Sequence, residues 1–214
     1  MNCVCMPIVI GLCGRSGAGK SYVSKLFASE GIPSVDTDAV YREMTSSPSD
    51  GKLSDCMKEL VAEFGDGILS EDMSLNRRAL ADAVFSDNGK AMLSKLNEIT
   101  HRHILSETDK RLAVFCEEGY TAAIVDAPLL FESGYDKKCD YIMVATAPED
   151  VLVERIISRD GVEREHAEKR LKAQLSESEI VSRADFVINT NVDRDVLLLR
   201  VREIIGEITS RMKG

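Results

Sequence analysis

Gly14-Arg15-Ser16-Gly17-Ala18-Gly19-Lys20-Ser21 follows the apolar run Pro7-Ile8-Val9-Ile10-Gly11-Leu12-Cys13 and leads into a stretch, Lys20 to Glu30, with Val23, Leu26 and Phe27 on one helical face. The octet fits G-x-x-x-x-G-K-[ST] at every fixed position. Glycines let the backbone curl until successive N–H groups face inward and cradle an anion. The helix that follows adds its positive N-terminal end. A lysine at Lys20 reaches β- and γ-phosphates, and a hydroxyl at Ser21 ligates Mg²⁺. A glycine-rich turn with a chance lysine would show the same letters, but strand before and helix after is the setting that marks a nucleoside triphosphate site.

Outward from this loop, Ile32 to Asp36, Thr121 to Asp126, Tyr141 to Ala145 and Phe186 to Ile188 read as short buried strands, and continuous apolar runs of this kind belong to parallel sheets. Between them lie helical patterns. The longest, from Asp38 to Gly119, is polar, with turn breaks at Ser46 to Gly51, Gly65 to Gly67 and Ser86 to Gly89, and holds no strand pattern. Pro148 to about Arg183 is charge-rich and helical; after Asp193 a last helix carries Leu197, Val201, Ile204, Ile205, Ile208 and Met212 on one face. Strands alternating with helices predict a parallel sheet covered on both faces, whose ligands bind at the carboxyl ends of the strands. Asp36, Asp126 and the glycine loop all fall at such ends.

Composition sets the class. With 214 residues, 44% hydrophobic and 29% charged, the chain has enough apolar surface for a real core. A formal net charge of −9 argues against nonspecific nucleic-acid binding, which needs a basic footprint. Cys3, Cys5, Cys13, Cys56, Cys116 and Cys139 form no C-x-x-C pair and read as reduced thiols. No apolar run approaches membrane-spanning length, and the first 14 residues hold no Lys or Arg, so neither a membrane anchor nor a signal peptide is expected and the reading is cytoplasmic.

Two functional classes compete for such a loop. A switch GTPase usually carries N-K-x-D and D-x-x-G, and neither occurs. Asp36-Thr37-Asp38 instead follows the second strand, where a carboxylate faces the acceptor side of a γ-phosphate and takes the proton of an attacking hydroxyl. A helix N-cap would equally explain Asp36, and a first-turn acid Asp38. Arg155, Arg159, Arg164 and Arg170 lie in the polar stretch after the fourth strand. Arg155 and Arg159, four apart, share a helix face, as arginines of a closing lid do. A solvated face with interleaved Glu154, Glu163, Glu165 and Glu168 is the plain alternative. His101 and His103, two apart, do not share a face and have no third ligand, so no metal site is read there.

Taken together these residues resemble the dephospho-CoA kinase family over nearly the whole chain. Gly11-Leu12-x-Gly14 through Ser21 is similar to its phosphate loop and Asp36-Thr37-Asp38 to its D-A-D. Asn76-Arg77-Arg78-Ala79-Leu80 with Val84-Phe85 resembles its insert segment. Asp126-Ala127-Pro128-Leu129-Leu130-Phe131-Glu132 resembles D-x-P-L-L-F-E, the most family-specific string. Gln174 with Ala184-Asp185-x-Val187-Ile188-Asn189 fits the family's closing motif. Arg15-Ser16 stands where the family usually has Gly-Ile, His101-Arg102 where it often has His-Pro, and Asn191 where glycine is usual.

The resemblance implies a three-layer α/β P-loop kinase fold with a central parallel sheet. Its core would be 7–37, 119–150 and 184–212, its helical acceptor-binding insert 38–118 and its helical lid 151–183. It implies ATP as donor, Mg²⁺, and dephospho-CoA as acceptor, in a monomer or weak homo-oligomer. Lys20, Asp36, Arg155 and Arg159 would be catalytic. Gly14 to Tyr22 and Asn189 would hold the nucleotide, with Ser21 on the metal. Asp38, Arg77, His101, Asp126, Pro128, Leu129 and Glu132 would meet the acceptor, and Arg77-Arg78 its pyrophosphate. Another metabolite kinase, of nucleoside monophosphate, shikimate or gluconate type, and a nonenzymatic nucleotide switch are the competing readings.

Overall fold

A computed structural model describes residues 6–85 and 89–211. Along the chain run β1 (Ile8–Cys13), α1 (Lys20–Ser29), β2 (Ser34–Asp36), α2 (Thr37–Met44), α3 (Asp55–Phe64), α4 (Arg77–Val84), α5 (Gly89–Glu117), β3 (Ala122–Asp126), β4 (Tyr141–Thr146), α6 (Glu149–Asp160), α7 (Arg164–Lys172), α8 (Glu177–Val181), β5 (Phe186–Asn189) and α9 (Arg194–Arg211), with short 3₁₀ turns at Asp66–Ile68 and Tyr135–Lys138. They fall into two compact units, one reaching to Asp36 and resuming at Leu112, the other Thr37–Arg111.

The first unit is built on five strands in the order β2-β3-β1-β4-β5, every pair parallel. Parallel neighbours need crossovers rather than hairpins, which is why helical segments separate the strands. All of β3 is buried, as expected of a strand with neighbours on both edges and helices on its faces. Ile10, Leu12, Phe27, Ile124, Met143, Leu152, Ile156, Val201 and Ile204 fill the core around it. The stripe expected on the last helix is found: Leu197, Val201, Ile204 and Ile208 are buried, while Met212 lies outside the described residues.

The second unit packs α2, α3, α4 and most of α5 around Cys56, Met57, Leu60, Ile68, Leu75, Leu80, Val84 and Ile99. Its helices start where polar caps predict. Ser54 Oγ accepts from Met57 N at 3.1 Å, and Asn76 Oδ1 from Ala79 N at 3.0 Å. Among its described residues only an isolated bridge, Leu69 to Leu75, has β character. The break expected at Ser86 to Gly89 falls largely on 86–88, outside the described residues.

The charge-rich stretch after β4, read from sequence as helical from Pro148 to about Arg183, divides into α6, α7 and α8. Gly161, left-handed at φ 65°, closes α6. Ser176 and Glu179 form a reciprocal capping box that opens α8. Cys13, Cys56 and Cys139 are free thiols. Cys3 and Cys5 lie outside the described residues.

Candidate active site

The phosphate loop leaves the carboxyl end of β1 and enters α1 at Lys20. Two glycines are required by their surroundings. Gly14 has φ 152°, and a Cβ there would stand 2.5 Å from the Ala145 carbonyl. Gly17 has φ 82°, and a Cβ would meet the Leu152 carbonyl at 2.6 Å. The loop thus runs against the backbone of β4 and α6 with no room for a side chain. Gly19, left-handed, precedes α1 without a side-chain cap, so the first N–H groups of the helix remain available to an anion. Lys20 Nζ donates back to the Gly14 carbonyl at 3.3 Å. Ser21 and Tyr22 are exposed on the first turn.

Beside the loop stand two carboxylates. Asp36 and Asp126 are register partners on β2 and β3, and Asp126 also pairs with Leu12 on β1. Neighbouring strands lie about 4.8 Å apart, so three adjacent strand ends carry the loop, Asp126 and Asp36 in turn. Asp126 is buried and Asp36 exposed. Ser24, one turn into α1, donates to Asp126 Oδ2 at 3.4 Å.

On the other side of the loop are the arginines of α6. Arg155 Nη1 donates to Thr190 Oγ1 at 2.9 Å and to the Gly17 carbonyl at 3.2 Å, and Nη2 to the Thr190 carbonyl at 3.0 Å. Thr190 Oγ1 also lies 2.9 Å from the Ala18 carbonyl. Arg155 thereby ties the phosphate loop to the end of β5. It lines a cleft of about 550 Å³ with Thr190, Asn191, Val192, Asp193 and Val196. Arg159 Nη2 lies 3.4 Å from Ser16 Oγ, and its guanidinium is held by Asp160 at 2.7 and 2.9 Å. Hydrogen bonding from Arg159 holds the Asp160 carboxyl below its usual range. Arg170 also reaches Asp160, at 2.9 Å, whereas Arg164 pairs with Glu154 on the outer surface. Sequence reasoning missed Thr190; its one sequence signal is a hydroxyl directly after the last strand.

Arg15 and Ser16 face α6 and the segment that follows it. Arg15 Nη1 pairs with Glu149 Oε2 at 3.0 Å, and Nη2 donates to the Leu171 carbonyl at 3.2 Å. Gln174 Oε1 accepts from Ser16 N at 2.9 Å. Asn189 is exposed at the end of β5 and lines a smaller cleft with Arg15, Thr146, Pro148, Glu149 and Glu177.

After β3, Pro128 is half-buried, while Leu129 and Glu132 are exposed. Leu130 is fully buried and contacts the face of β1 at Gly11, where an added Cβ would lie 2.9 Å from its Cδ2. Phe131 holds the Arg183 guanidinium 4.9 Å from its ring centroid. Asp38, Arg77 and His101 belong to the second unit. Asp38 lies on the first turn of α2, Arg77 sits 5.9 Å from the Tyr41 ring centroid, and His101 is half-buried on α5.

A family model described as dephospho-CoA kinase matches residues 8–195. A dephospho-CoA kinase of Corynebacterium efficiens is 36% identical over 204 residues, 95% of this chain and 98% of its own length. One from Fusobacterium nucleatum is 36% identical over 209 residues, 94% and 98% of the two lengths. Among solved structures, TT1252 from Thermus thermophilus superposes with a TM-score of 0.75 at 28% identity, covering 98% of this chain and 100% of its own. Dephospho-CoA kinase from Campylobacter jejuni does so at 0.65 and 23% identity, with 94% and 97% covered, which bears on the fold. The chain belongs to the dephospho-CoA kinase family.

Proposed function

We propose that this protein transfers the γ-phosphoryl group of ATP to the ribose 3′-hydroxyl of dephospho-CoA, giving CoA and ADP, the final step of CoA biosynthesis. One observation carries the assignment of roles: Asp36 and Asp126 stand in register on strands next to the one that feeds the phosphate loop. A base belongs on the acceptor side of the γ-phosphate, and Asp36, the exposed member of the pair, accepts the proton of the attacking hydroxyl. Lys20 swings from the Gly14 carbonyl onto the phosphates. Ser21, with Asp126 and Asp36 near, offers hard oxygen donors of the kind Mg²⁺ takes. No group of three or more His, Cys, Asp or Glu side chains gathers among the described residues, which suits an ion held largely by water and substrate phosphates. When bound, the ion neutralises charge on the β- and γ-oxygens.

The nucleoside end belongs in the cleft behind the loop. Val192 and Val196 give it apolar walls, and a guanidinium plane such as that of Arg155 stacks on an aromatic base. Arg155 therefore acts by positioning loop and base. Arg159, next to Ser16, is the lid arginine placed for the transferred phosphate, and 151–183 is the lid. Pro128, Leu129 and Glu132, on the loop after β3, are the groups of this unit that we assign to the acceptor.

An ADP-release assay across dephospho-CoA, nucleoside monophosphates, shikimate and gluconate tests the reading. ADP release with dephospho-CoA alone is expected. Faster release with any other acceptor would replace the substrate assignment, and nucleotide binding with no release for any acceptor would favour a switch.

A further inference from the structure

The first half of the phosphate loop makes more bonds to α6 and the segment after it than a phosphate cradle needs. The Arg15 side chain is only 11% exposed. Its guanidinium divides between Glu149, on the first turn of α6, and the carbonyl of Leu171. Leu171 lies in the last turn of α7, where the helix carries partial negative charge, and its carbonyl also accepts from Gln174 N at 3.2 Å. Arg15 thus supplies a cationic cap to the C-terminal end of α7. One residue on, Ser16 N donates to Gln174 Oε1 at 2.9 Å, just beyond that end. Ser16 Oγ meets Arg159 of α6.

The Arg15 charge is paired and turned toward α6 and α7, so the side chain is not disposed as a phosphate ligand even though its backbone belongs to the cradle. A planar fork is needed to serve two acceptors at once; a lysine serves one or the other well.

We propose that Arg15 is a positioning residue that latches the end of α7 to the phosphate loop, so that the lid is ordered on the loop before nucleotide arrives. Ordering the segment in advance removes an entropic cost from nucleotide binding. Only the identity of the ligand rests on the kinase reading.

Amide hydrogen exchange of the ligand-free full chain tests the latch. Hydrogen bonds to a charged donor stabilise strongly enough that Arg15→Ala is expected to speed exchange over residues 165–174 about tenfold. Arg15→Lys should speed it less. Glu149→Ala, at the exposed end of the pair, should shift it in the same direction and decides the matter if Arg15→Ala does not fold. Affinity for a non-hydrolysable ATP analogue should fall in step with the gain in exchange, and return partly in Arg15→Lys. Exchange unchanged in Arg15→Ala, with analogue binding weakened, would make Arg15 a phosphate ligand and overturn the latch; exchange unchanged in Glu149→Ala would overturn it in the same way. Faster exchange in a protein that binds no analogue at all would leave the latch standing and count instead against the kinase assignment.

Discussion

Asp36→Asn keeps the size of the side chain and removes its capacity to accept a proton. Loss of a general base costs roughly 10²–10⁴-fold, so steady-state kinetics should show kcat falling by that order with ATP affinity retained. Lost ATP binding together with a disturbed fold would make Asp36 a cap. Lys20→Ala should cut turnover by orders of magnitude in a folded protein, since its ammonium donates to the Gly14 carbonyl and is the group we assign to the phosphates; circular dichroism beside the assay separates the two effects. Burial pushes the Cys13 and Cys139 thiols up to about 12. An exposed thiol ionises near about 8.5. Between those values the unfolded chain holds fewer protons than the folded one. The stabilisation is therefore complete below about pH 8.5 and is lost as pH rises toward 12, by at most about 1.4 kcal/mol per pH unit per thiol. Urea midpoints should fall between about pH 8 and about pH 10.5, and less steeply in Cys13→Ala. A fall equally steep in both proteins would remove Cys13 from the explanation. At this scale the octet could be read directly, because its chemistry is local. The partners of Arg15 and Thr190 could not, because they lie 35 to 172 positions away and meet only through the fold.

Among the elements, the strands were legible because parallel strands buried on both faces are written as continuous apolar runs. The stretch after β4 was legible in its charge but not in its division. Its punctuation was nonetheless present as Gly161 and as the pair Ser176 and Glu179, hidden in a segment without a hydrophobic period strong enough to frame them. Two predictions belong to this level. Gly17 touches the α6 backbone in a left-handed conformation, which costs a side chain about 1–2 kcal/mol before any clash. Gly17→Ala should lower Tm by several degrees, roughly 2–4 °C per kcal/mol in a protein of this size. A Tm within error of the parent would mean that loop and helix part easily. Arg159→Ala should lower kcat more than it raises KM, since its contact grows with charge that develops in transfer. An ordinary surface arginine already paired to Asp160 would be removed at little cost.

At the level of the whole molecule, two packed cores divide the chain: an α/β unit that carries the phosphate loop and both strand-end carboxylates, and a helical unit of its own. No described helix is long and apolar enough to cross a membrane. The acceptor is the part of the account that packing alone does not specify, since a phosphate loop beside a strand-end carboxylate suits phosphoryl transfer to many hydroxyls. The decisive measurement is therefore of product. The purified full chain is incubated with ATP, Mg²⁺ and dephospho-CoA, and the product is examined by mass spectrometry and phosphorus NMR, with Lys20→Ala as control. The account predicts an acceptor one phosphoryl group heavier, esterified at the ribose 3′-hydroxyl, with an equal amount of ADP and neither product in Lys20→Ala. Phosphate at another hydroxyl, or ADP formed with the acceptor unchanged, would contradict it.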